Sequence, residues 1–163
     1  TPMLRSLVGS EMCIRDRYMI IWIASYPKSG NTWVRSFLTA YYFCEKGVFD
    51  INKLNLIEDY PNKQFFEDTV KQGEIHKHWE FSQKNIYEKK EAKFLKTHNS
   101  LITAFGNDFA VPKYTLGAIY IIRDPRNVIT SVKNHNDLES YDKALKFDPA
   151  YIRLGTILFG KRL

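Results

Sequence analysis

"MIIWIASYPKSGNTW", residues 19–33, runs from a continuous apolar segment through a Pro-Lys-Ser-Gly turn into a helical pattern. An unbroken apolar run of this length fits a strand buried on both faces of a parallel sheet. Trp33, Phe37, Ala40, Tyr41 and Cys44 then recur at helical spacing, and Gly47 supplies a stop, which predicts a helix over 31–47. Strand, tight loop, helix is therefore the unit on which the rest of the chain is read.

Two further segments repeat the strand signal: "AKFLKTH" at 92–98 and the β-branched "LGAIYIIR" at 116–123, taken as a buried strand. "DPRNVITSVKNH" at 124–135 opens with Asp as cap and Pro in the first turn, a favourable helix start. "SYDKALKF" at 140–147 predicts another helix, while 51–92 reads as short helices and loops. Strands separated by helices point to an α/β fold around a central parallel sheet. No repeat or low-complexity linker interrupts it, so one domain suffices.

Composition bounds the function. The 163 residues are enough for one sizeable core, and 44% hydrophobic with 15% aromatic content is globular rather than disordered. A net charge of +6 favours an anionic partner without choosing among nucleic acid, phosphorylated cofactor and acidic membrane. Cys13 and Cys44 form no framework of bridges and fit a reducing, cytoplasmic compartment. The longest apolar stretch is too short to span a bilayer. Residues 1–18, "TPMLRSLVGSEMCIRDRY", lack an amphipathic period. They resemble translated adapter or vector sequence, so the domain is placed at 19–163.

The loop after the first strand has a chemical reading. Gly30 lets successive N–H groups converge on an anion at a helix N-terminus, Lys28 adds a cation, and Ser29, Asn31 and Thr32 add polar groups. Taken alone, the stretch fits equally a turn capped by Asn. It is not a Walker A loop, because Lys precedes Gly by two residues and no Lys-Ser/Thr pair follows. Arg123 ends the third strand, and in a parallel sheet ligands gather beyond the strands' carboxyl ends. A guanidinium there suits a second phosphate, with Ser131 on the following helix, although a salt bridge to Asp124 would also explain Arg123. Lys96 and His98, two apart, share one side of the second strand's end, where His is matched to proton abstraction near neutral pH. His76 and His78 lack a third ligand, so no metal is expected, and "HKHW" reads as a surface or acceptor-site loop.

Together these segments resemble the sulfotransferases that use 3′-phosphoadenosine 5′-phosphosulfate (PAPS). "YPKSGNTW" is similar to that family's 5′-phosphosulfate loop, YPKSGTTW; "RDPRNVITS" is similar to its 3′-phosphate motif, RDPRD-x-x-x-S; and "KTH" matches its catalytic-histidine strand. The resemblance spans 20–135 and implies a three-layer, P-loop NTPase-like fold that stops short of the family's C-terminal Arg-Lys-Gly segment, "GKRL" at 160–163 coming too early. It implies that Lys28, Ser29, Gly30, Asn31 and Thr32 hold the 5′ group and that Trp33 packs near the adenine. By the same resemblance Arg123 and Ser131 hold the 3′-phosphate, His98 is the general base, and Lys96 lies near the sulfuryl oxygens. No metal, nucleic-acid polymer or membrane span is implied, and the acceptor is open. Two other readings are a non-catalytic nucleotide-binding fragment and a P-loop nucleotide kinase, the latter disfavoured by the missing Walker lysine.

Overall fold

A computed structural model describes residues 19–68 and 70–147. The expectations for 1–18, for Cys13 and for "GKRL" lie outside the described residues. Strand β1 (Ile20–Ser25) is central. It pairs in parallel with β3 (Lys93–Thr97) on one side and β6 (Thr115–Ile121) on the other, and β2 (Glu58–Asp59) adds to β3. The order is β2-β3-β1-β6, all parallel. The parallel pairings, with one register shift against β6 between Ile20 and Ile21, put the ends of β1, β3 and β6 at one edge, with Ala24 opposite Thr97 and Ser25 opposite Ile121.

Alternation along β1 serves two cores. Ile20 and Trp22 point to one face, where Leu95, Tyr60 and Phe109 pack with Trp79 and Ile86 of helix α2 (Trp79–Glu88). Ile21 and Ile23 point to the other, with Phe94, Ile57 and, from helix α1 (Asn31–Phe43), Val34 and Leu38. Helices on both faces make the three layers. Helix α3 (Pro125–His135) and helix α4 (Tyr141–Phe147) close a third cluster through Val128, Val132 and Ala144. The expected start of α3 is realised: the Asp124 carboxylate accepts from Arg126 N–H at 2.9 Å, and Pro125 stands in the first turn.

Two expectations are corrected. Helix α1 ends at Phe43, because Cys44 turns to extended backbone before a 3₁₀ turn over Glu45–Gly47. Its aromatic stripe faces outward, with Trp33 77% and Tyr41 71% exposed, while Val34 and Leu38 pack inward beside the buried polar residues Asn31, Arg35 and Thr39. Asn31 and Arg35 are held inside because both find acceptors there. In addition, β6, expected as a buried strand, lies at the edge of the sheet among the described residues, and Ile119 and Tyr120 are exposed.

Arg35 shows what an inward polar residue does for the fold. Its guanidinium donates to the carbonyls of Leu54 at 3.2 Å and Ile57 at 2.6 Å and lies 3.7 Å from Asp59, which pins the 3₁₀ segment Ile51–Leu56 and β2 against α1. Arg35→Ala strips charged donors from these carbonyls and is expected to cost about 1.5–3 kcal/mol of stability. The urea midpoint measures it; an unchanged midpoint would show the contacts to be incidental.

Candidate functional site

The loop between β1 and α1 carries two left-handed residues, Lys28 at φ 65° and Gly30 at φ 104°. Glycine adopts that backbone freely, whereas lysine does so against a steric cost, so the strain falls on the cation. Ser29 N–H closes a turn onto the Tyr26 carbonyl at 3.2 Å. The first helical bond runs from Val34 N–H to the Gly30 carbonyl, and no side chain caps the helix. The N–H groups of Asn31, Thr32 and Trp33 therefore end α1 without an intrahelical acceptor, at the positive end of its dipole. Such a turn-to-helix junction can cradle an anion.

Arg123 meets this loop directly. Its Nη1 donates to the Lys28 carbonyl at 3.1 Å, joining the end of β6 to the end of β1. Asp124 is taken instead by Arg126, at 2.7 Å, so the alternative salt bridge does not engage Arg123. Tyr26, in the same loop, packs against the cluster formed by α3 and α4. Ser131 is half-buried within α3, and Thr32 and Trp33 are exposed in the first turn of α1.

His98 follows the last residue of β3 and reaches across to β1. Its Nδ1 lies 2.8 Å from the Ser25 carbonyl and 3.3 Å from Ser25 Oγ. A carbonyl only accepts, so Nδ1 carries the proton and Nε2 holds the lone pair. Burial of the ring pushes its pKa below the ordinary imidazole value, which the bond to Ser25 partly offsets; Lys96 and Arg35 lower it further and Asp59 raises it.

Two expected side chains are placed differently. The Asn31 amide is buried and turned into the protein, donating to the Ile23 carbonyl and to Ser25 Oγ, so only its backbone N–H faces the loop's anion position. Lys96 is not free at the edge, because its ammonium pairs with Asp59 at 3.0 Å. Sequence reasoning did not find Ser25, Asp59 or Arg35. The one available signal was the polar spacing of Asn31, Arg35 and Thr39 on a single helical face, opposite the aromatic stripe.

Compared with known protein families, residues 20–152 match the family described as the sulfotransferase domain. The chain belongs to the sulfotransferase domain family. No curated protein and no solved structure gives a match. In this sulfotransferase domain the matched region includes the Lys28 loop, His98 and Arg123, and its family chemistry is sulfuryl transfer. Among the described residues no three His, Cys, Asp or Glu side chains gather as a metal site, and no helix is long and apolar enough to cross a membrane.

Proposed function

We propose that the chain transfers a sulfuryl group from PAPS to an acceptor hydroxyl at the carboxyl edge of its sheet, with His98 as general base. The observation that carries this reading is the 2.8 Å approach of His98 Nδ1 to the Ser25 carbonyl, which leaves the lone pair on Nε2, at the edge where the Lys28 loop and Arg123 also end. The residues fit the donor: an uncapped helix N-terminus with Lys28 suits the 5′ phosphosulfate, and Arg123 suits a second, separate phosphate. When bound, PAPS supplies the sulfuryl group and a phosphate leaving group. His98 Nε2 takes the acceptor's proton as its oxygen bonds to sulfur, and Lys28 stabilises the charge left on the 5′-phosphate as the sulfur–oxygen bond breaks. Lys96, held by Asp59, acts on His98 through its field rather than by contact.

A mostly apolar cavity of about 380 Å³ is walled by Trp22, Ala24, Thr97, Asn99, Leu101 and Tyr120, while the His98 ring turns to Ser25 and is not part of that wall. Incubation with PAPS and a panel of phenols, alcohols, sugars and amines tests the reading. Sulfated product and desulfated nucleotide should appear one for one; no product from any acceptor would count against transfer by this chain.

The role of Arg123 has its own test. Arg123→Ala should weaken binding of 3′-phosphoadenosine 5′-phosphate by about 1.5–3 kcal/mol, the worth of a charge-assisted contact. Adenosine 5′-phosphate should be barely affected. Equal losses by calorimetry would assign Arg123 to holding the loop instead.

A further inference from the structure

Asn31 stands where the related motif has Thr, and the structure gives the amide a task that Thr could not perform. We propose that Asn31 is a positioning residue for the transfer: by bridging Ile23 and Ser25 it orients the end of β1 and thereby holds His98 in the tautomer that leaves Nε2 able to take a proton. This rests on the reading of His98 as the base.

The geometry supports it at each step. Asn31 is only 5% exposed, and its Nδ2 donates to the Ile23 carbonyl at 3.1 Å and to Ser25 Oγ at 3.0 Å. Those two bonds use both amide hydrogens, and because Ile23 offers a carbonyl, the amide cannot be flipped without setting oxygen against oxygen. Residues 23 and 25 lie on the same face of β1, so one amide clamps both of the last inward positions before the loop. Asn31 Oδ1 is buried with no partner among the described residues, a cost that a residue selected for packing alone would not carry. The compensation is the bond to Ser25 Oγ.

That hydroxyl is the competitor for His98. It lies 3.3 Å from Nδ1, beside the carbonyl at 2.8 Å. The Asn31 bond fixes the position of Oγ at 3.3 Å from Nδ1, farther than the carbonyl at 2.8 Å, so Nδ1–H keeps the carbonyl as its acceptor. Released, Oγ can swing closer to Nδ1 and donate its own proton to it. The ring proton would then reside on Nε2, the atom that must be free. The charged groups around the ring, Lys96 on β3, Asp59 on β2 and Arg35 on α1, are unchanged by substitution at Asn31.

The test is nitrogen-15 NMR of the His98 imidazole in the full chain, with His98→Ala to assign the signals. Wild type should show a protonated Nδ1 and a bare Nε2. Asn31→Ala, and separately Asn31→Thr in case one fails to fold, should show a mixture of tautomers. Adding Ser25→Ala should restore the wild-type pattern, because the competing hydroxyl is gone. Turnover of Asn31→Ala should fall about tenfold with the affinity for 3′-phosphoadenosine 5′-phosphate unchanged, the signature of coupled neighbours acting on the base. An unchanged imidazole spectrum in a folded Asn31 variant would overturn the proposal. Normal turnover in His98→Ala would instead overturn the base assignment, whatever the spectrum shows.

Discussion

His98→Ala is expected to lower turnover by roughly 10²–10⁴-fold, the usual consequence of losing a general base. Its affinity for 3′-phosphoadenosine 5′-phosphate should stay near the wild-type value, because no donor contact is assigned to the imidazole. The fold should tolerate the change, since the residue lies beyond the end of β3 and its ring, turned onto Ser25, belongs to none of the core clusters. The pH profile adds a sign. Burial lowers the His98 pKa, so the neutral ring, which the proposed base role requires, persists to lower pH than for an ordinary imidazole. Wild-type kcat should therefore rise with pH through a step below about 6.5 and then level off. The variant should lose that step. A folded His98→Ala protein with near-normal turnover would make the histidine structural.

Replacing Lys28 should damage both binding and chemistry. Its ammonium is expected on the phosphosulfate before transfer and on the leaving phosphate during it. Removal of one such stabilising group typically costs about 10²–10³ in kcat. The choice of substitution matters, because Lys28 sits at φ 65°, where alanine keeps the steric strain and glycine relieves it. Lys28→Gly is thus the cleaner variant: its loop should be at least as stable, so a loss of turnover reports the missing charge. If Lys28→Gly keeps more than about a tenth of wild-type turnover, the loop would be holding the donor through backbone N–H groups alone.

The parts of this fold that were legible in sequence are those governed by local pattern. The apolar runs of β1 and β3, and the Asp124-Pro125 opening of α3, each carry their signal within a few residues. The edge position of β6 was hidden, because Ile119 and Tyr120 look the same in a central strand as in an edge strand. The hairpin of β4 (Thr103–Ala104) and β5 (Asn107–Asp108) was also missed, since its two-residue turn places Phe105, an unlikely residue for positive φ, beside Gly106. At the site, the Lys28 loop, His98 and Arg123 were visible from their places at strand ends. What surrounds them was not. Asp59 reaches Lys96 and Arg35 from the short strand β2, and Asn31 reaches Ser25 from the adjoining helix; such pairs depend on which element packs where. The inward face of α1 was hidden for the same reason, as Asn31 and Arg35 are buried by virtue of acceptors far along the chain or on another element.

The central claim is that the carboxyl edge of this sheet recognises a nucleotide with two separated phosphate groups. Calorimetric titration of the full chain with 3′-phosphoadenosine 5′-phosphate and, in parallel, with adenosine 5′-phosphate tests it most directly. The Arg123 contact predicts that the 3′-phosphate tightens binding by at least about tenfold, close to 1.4 kcal/mol. Equal affinity for the two nucleotides, or none for either, would contradict it.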